Sequence, residues 1–245
     1  MTCHFISHNS YKLAYTFAPV VGRPTILFLP GYFSDMSGAK AVFLKEQAAC
    51  HHYGFLSLDY SGHGQSGGEF LQGTISSWLD DILAVIDAVK AQDLIVVGSS
   101  MGGWLMFLLT LRRPHLIRKL VGIAAAPDFT EELIWTKLSL PEKQILQQRG
   151  HLITPSEYDA AGVPLSYQLI EDGRQNLLLK DSINCNVPVR LLHGTADHDV
   201  PYEISLRLMQ LLTSSDVQVR LIKEGDHRLS QPSHLTMLWQ EVQDG

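Results

Sequence analysis

The sequence has no apolar run near the roughly 20 residues that a membrane-spanning helix requires. Its longest candidate, residues 104–111 (WLMFLLTL), suits a buried helix instead. Cysteines are few: Cys3, Cys50 and Cys185 are far apart, odd in number and without a C-x-x-C pattern. That excludes a disulfide scaffold and suggests free thiols in a reducing compartment. Positive charge is also scarce. Nineteen Lys and Arg against 25 Asp and Glu leave a formal net charge of −6, and no basic cluster suits nucleic acid or an anionic membrane. The first ten residues, MTCHFISHNS, show neither a secretory nor an Arg-rich organelle leader, so cytoplasm is the expected location. No phosphate-cradling G-x-x-x-x-G-K-[ST] run exists, and the glycine-rich turn at residues 98–103 lacks the G-x-G-x-x-G order of a dinucleotide site.

What is present is an alternation. The 245 residues, 45% hydrophobic, suit one large α/β domain with a sizeable core. Residues 3–17 read as a hairpin about Asn9-Ser10. Short apolar runs then recur at Thr25–Leu29, 55–58, 94–97, 119–124, 189–192 and Val217–Ile222. Between them lie helical spacings at 38–53, 74–89, 101–112 and 201–212, with a last helix from Pro232. Pro201 and Pro232 suit first helical positions, where no amide donor is needed. Buried strands alternating with helices predict a mostly parallel sheet covered on both faces. Residues 129–186 break the pattern. They show only broken helical stretches, punctuated by Pro141, Gly150, Pro155, Gly162 and Pro164, so a small helical lid is expected there.

Polar groups on such sheets collect beyond the carboxyl ends of strands. Gly98-Ser99-Ser100-Met101-Gly102 follows one strand and opens a helix, fitting G-x-S-x-G, the turn that lifts a serine oxygen above a sheet. A serine needs a base, and of the eleven histidines His227 stands out because it sits in the loop after the last strand. An acid must orient that base. Asp197 lies closest after its strand, Asp128 follows the preceding one, and Asp199 sits where a helix cap is expected. Asp226 reads as a turn residue. Ser100, Asp197 and His227 thus follow the serine–acid–histidine chain order of one hydrolase fold. Negative charge on a substrate oxygen would need two amides, expected from Met101 and Tyr32, although Pro30-Gly31 can equally be a plain turn. His63 reads as a structural or wall residue. His193, His198 and Asp199 cluster without a metal-ligand spacing such as H-E-x-x-H, so neither metal nor cofactor is expected. Trp104, Trp135, Tyr158 and Tyr167 are candidates either to line an acyl tunnel or to pack lid against core.

The runs LFLPGYFSDMSGAKA, LDYSGHGQSGG, VGSSMGGWLM, VPVRLLHGTADHDVP and GDHRLS, within residues 25–230, resemble the α/β hydrolases related to abhydrolase domain-containing protein ten. That family contains palmitoyl-protein thioesterases that also cleave acyl-glucuronides. The resemblance implies an α/β-hydrolase fold with a helical lid and a triad on Ser100, Asp197 and His227. It also implies oxyanion donors at Tyr32 and Met101, and a small-molecule or protein-linked acyl ester or thioester as substrate. One departure is Pro30-Gly31, where many α/β hydrolases carry His-Gly. A peptidase, C–C hydrolase or perhydrolase could use the same residues, and a binding protein could share the fold without the chemistry. Ser100 disfavours the aspartate-nucleophile dehalogenases and epoxide hydrolases.

Overall fold

The structure, a computed structural model, describes residues 2–154 and 161–243. Strands β1 (His4–His8) and β2 (Tyr11–Ala18) form the expected hairpin, with Asn9 in the left-handed region at φ 51°. The chain continues through β3 (Thr25–Leu29), α1 (Ala39–Cys50), β4 (Gly54–Leu58), α2 (Ile75–Val89), β5 (Leu94–Ser99), α3 (Met101–Arg112) and β6 (Ile117–Ile123). Helix α2 starts where Thr74 and Ser77 cap each other's backbone amides, satisfying donors that the first turn leaves open.

An excursion follows β6: a π-helical turn (Thr130–Trp135), α4 (Leu140–Arg149), β7 (His151–Thr154), β8 (Val163–Ser166) and α5 (Tyr167–Gln175). Then come β9 (Val189–Gly194), α6 (Glu203–Leu211), β10 (Val217–Ile222) and α7 (Pro232–Gln243). The sheet runs β1-β2-β4-β3-β5-β6-β9-β10, antiparallel at the β1, β2 and β4 pairings and parallel from β4 to β10.

Strand periodicity sorts the core into two layers. Leu27, Leu29 and Val96 pack with Trp78 and Ile82 of α2 and Trp104 of α3. Their neighbours Ile26, Phe28, Ile95 and Val97 face the other way, onto Leu44 of α1 and Trp239 of α7. Burying each such aliphatic side chain is worth roughly 1.5–3 kcal/mol. Among the described residues, no helix is long and apolar enough to cross a membrane.

Two expectations are corrected. Residues 129–186 are not purely helical, because β7 and β8 pair antiparallel from His151↔Ser166 to Thr154↔Val163. Each strand has four residues and one contains Pro164, too short a run to display alternation. Pro201 does not open α6, which begins at Glu203. It starts a preceding turn instead, in which the Ile204 amide donates to Pro201 O. Pro232 does hold the first position of α7.

Candidate active site

Ser100 joins β5 to α3 with φ 54° and ψ −119°, a strained conformation of the kind that costs about 1–3 kcal/mol. The surrounding hydrogen bonds hold it there. Its amide donates to Ile123 O at 2.9 Å, while its carbonyl accepts from Gly103 N and Ala126 N at 2.8 and 3.0 Å. The flanking glycines are steric necessities: a Cβ on Gly98 would strike the Gly102 carbonyl, and one on Gly102 would strike the Leu29 carbonyl. These close approaches press the serine turn against the loop leaving β3. A Cβ on Gly31 would sit 3.3 Å from Ser100 Cβ, so the Gly31–Tyr32 peptide borders the serine.

The loops after β9 and β10 meet over this turn. The His227 Nδ1–H donates to Asp197 Oδ2 at 2.8 Å, and the Ser100 hydroxyl donates to His227 Nε2 at 3.1 Å. The Asp197 side chain is fully buried, and its Oδ1 accepts from the amides of Asp199 and Val200 at 3.0 and 2.8 Å. Burial alone would raise its pKa. The imidazoles of His193 and His227 and the Val200 amide outweigh that and hold it well below the ordinary carboxylate value. An ionised carboxylate behind an imidazole behind a serine is an arrangement that can draw a proton from the hydroxyl.

The other acids are occupied elsewhere. Asp128 gives one oxygen to the Leu178 amide and the other to the Leu179 amide, both at 2.8 Å. Asp226 accepts from Leu229 N at 2.9 Å, as a turn residue would. Asp199 is not the cap of α6; Tyr202 holds that position without a side-chain bond. His63 is wedged between Phe70 and Trp78, with centroids 4.9 and 5.2 Å away, and burial pulls its pKa down to about 4. It is a neutral structural residue.

Of the His193, His198 and Asp199 cluster, which lacks metal-ligand spacing in the sequence, His193 turns inward to Ser205 and Val200. Among the described residues, Asp197, Asp199 and His227 could bring donor atoms within 4.8 Å of one another around a metal ion. A cation there would compete with His227 for Asp197, so this donor set fits a proton relay better than a metal.

Tyr32 N and Met101 N border the serine, and among the described residues neither donates to a protein acceptor. The Tyr32 ring is locked against Phe70 and Phe129, and its hydroxyl donates to Pro164 O at 2.6 Å. Asp59 fixes the same loop from below. Its two oxygens accept from Met36 N and Gln65 N, both at 2.8 Å. Lys40 of α1 straps the base loop by donating to Arg228 O at 2.6 Å; burial, then the Arg228 charge, lower its pKa to about 8.

A cavity of about 880 Å³ opens at Ser100 and His227. Its apolar wall comes from Phe129, Leu133, Ile134, Leu138, Val163 and Leu165 of the excursion. The aromatic candidates are elsewhere. Trp104 is fully buried, with its indole N–H on Asn176 O at 3.0 Å, and Trp135 packs between Arg174, Lys143 and Tyr167. They pack the excursion against the core; Tyr158 lies outside the described residues. The wall had a sequence signal, since apolar residues 129, 133, 134 and 138 recur at helical spacing. Asp59 and Lys40 had none, because the groups they hold across loops, Met36 N and Arg228 O, are 23 and 188 residues away.

Residues 24–148 match the family model described as the α/β hydrolase fold. The chain is 37% identical over 225 residues to the mitochondrial palmitoyl-protein thioesterase ABHD10 of Mus musculus, covering 90% of this chain and 74% of that protein. The chain belongs to the α/β-hydrolase fold family. Solved α/β hydrolases superimpose closely on it. Mouse alpha/beta hydrolase domain-containing protein 10 does so with a TM-score of 0.90 at 33% identity, covering 99% and 97% of the two chains. A protein from Agrobacterium vitis S4, assigned only provisionally as a hydrolase, has a TM-score of 0.94 at 38% identity, covering 98% and 96%. The family-model match carries the Ser100 turn of this α/β hydrolase and ends before the loops of Asp197 and His227.

Proposed function

We propose that this α/β hydrolase cleaves carboxylic esters and acyl thioesters through an acyl-serine intermediate. One observation carries the reading: the hydrogen-bonded line from Asp197 through His227 to Ser100 ends at the mouth of an apolar-walled cavity. Ser100 Oγ attacks the acyl carbonyl carbon as its proton passes to His227 Nε2. The carbonyl electrons collect on oxygen, which the Met101 and Tyr32 amides receive. As the intermediate collapses, the C–O or C–S bond breaks and His227 returns the proton to the leaving alkoxide or thiolate. Water, deprotonated by the same imidazole, then attacks the acyl-Ser100, releasing the acid and restoring the hydroxyl.

In this proposal the excursion, expected at residues 129–186, is a lid whose apolar wall receives the acyl chain. The name of the mouse relative, a palmitoyl-protein thioesterase, supports a long chain. Three free cysteines support a reducing compartment, with cytoplasm as the proposed location.

A graded series of p-nitrophenyl esters and S-acyl thioesters tests the reading. With increasing chain length, kcat/KM is expected to rise and then plateau once the cavity is filled. A flat or wholly negative series would remove the acyl-pocket assignment. The same substrates test the loop carrying Tyr32. Asp59→Ala removes the acceptor of the part-buried Met36 and Gln65 amides, a loss of about 1–3 kcal/mol in all. It is expected to lower Tm and to reduce kcat about tenfold with KM little changed, the pattern of lost transition-state stabilisation. Unchanged kcat in a folded Asp59→Ala protein would detach this loop from the chemistry.

A further inference from the structure

One buried imidazole in the site does no proton transfer. His193, the penultimate residue of β9, is fully buried and begins the loop that carries Asp197. Its Nε2–H donates to Val200 O at 2.9 Å, and the same nitrogen stands 3.2 Å from Asp197 Oδ2. Both neighbours of Nε2 are acceptors, so that nitrogen carries a proton; in the neutral ring Nδ1 then accepts the buried Ser205 hydroxyl, 2.7 Å away on α6. The loop is therefore closed twice at Val200. Its carbonyl is held by His193 and its amide by Asp197 Oδ1.

We propose that His193 is a positioning residue for the acid, acting on Asp197 in two ways. By gripping Val200 it fixes the loop geometry that aims Asp197 Oδ2 at His227. By placing the positive end of an N–H bond beside Oδ2, it also draws off part of the negative charge that would otherwise act on His227 alone. Ser205 supports the device: with the proton on Nε2 its hydroxyl donates to Nδ1, which polarises the ring and strengthens the Nε2–H donor. The charged and titratable groups around Oδ2 are His227 from the β10 loop, His193 from β9, and Asp199 from the same loop. Ser205 is the polar group contributed by α6.

The inference rests on the reading of Asp197 as the acid, and its test separates the two. Three variants are compared on a short p-nitrophenyl ester as pH profiles of kcat/KM. His193→Leu removes the donor, His193→Gln can return one near the Nε2 position, and Ser205→Ala removes the hydrogen bond to Nδ1. With the donor gone, Asp197 acts more strongly on the imidazolium. The acid limb of the profile is expected to move up by about half a pH unit to one unit, with a tenfold fall in kcat and KM unchanged. His193→Gln is expected to restore both, while Ser205→Ala gives a shift of the same sign and smaller size.

A folded His193→Leu protein whose acid limb does not move would overturn the inference, as would a limb that moves equally in His193→Gln. If His193→Leu does not fold, Ser205→Ala decides alone: a raised limb supports the device and an unmoved limb overturns it. Fluorophosphonate labelling of the wild type is run in parallel. No labelling at Ser100 means that the acyl-serine reading has failed and the device with it; labelling with unmoved limbs overturns the role of His193 alone.

Discussion

Replacing Ser100 by alanine is expected to lower kcat for an activated ester on the order of 10⁶-fold, the size of loss seen when a triad serine is removed. The remaining rate would come from the cavity and the two amides, which survive the change. Alanine has the same Cβ and so meets the same strain at φ 54°, and the bonds that pin the turn come from the backbone. Tm is therefore expected to stay within about 4 °C, the equivalent of ~1 kcal/mol in a chain of this size. A fluorophosphonate probe should label the wild type and not the variant. Ser99 is the natural control: it also borders the cavity but ends β5, and Ser99→Ala should keep the labelling. Equal labelling of Ser100→Ala and wild type would place the nucleophile elsewhere.

Exchanging acids for amides at two positions should give opposite phenotypes. Asp197→Asn is expected to cost about 10⁴-fold in kcat, because an amide facing His227 Nδ1 can donate and so favour the wrong tautomer. Asp128→Asn should leave kcat on a short ester within about threefold. Its penalty falls on stability. One of its two positions must turn an NH₂ toward the Leu178 or Leu179 amide, setting donor against donor in a buried site, for about 1–3 kcal/mol. Paired kinetics and thermal melts measure both. A larger kinetic loss at Asp128 would reassign the acid to the end of β6.

Much of this architecture can be read from the chain, for a physical reason. Strands covered on both faces are short continuous apolar runs, so the loops at their carboxyl ends announce themselves, and Ser100, Asp197 and His227 all lie in such loops. Asp128 also follows a strand, so position alone leaves two acids open. What separates them is the direction of each side chain, set by the amides at 178 and 179, some fifty residues away. The antiparallel pair of β7 and β8 is hidden for a related reason: four-residue strands carry little periodicity, and these two pair with each other rather than with the main sheet. Of the aromatic tunnel candidates, Trp104 is fully buried in the core, and Trp135 and Tyr167 pack on each other, half-buried. The wall falls to Phe129, to Leu133 and Ile134 of the π-helical turn, to Leu138 just beyond it, and to Val163 and Leu165 of β8.

The grip of Asp128 on Leu178 and Leu179 ties the outgoing end of the excursion to its returning end. A loop knotted at its neck is a cassette. Changes within it reach the cavity through the excursion's share of the wall, while Ser100, Asp197 and His227 all lie outside the span that the grip encloses. The excursion's part of the cavity wall and the proton relay thus come from separate stretches of one chain.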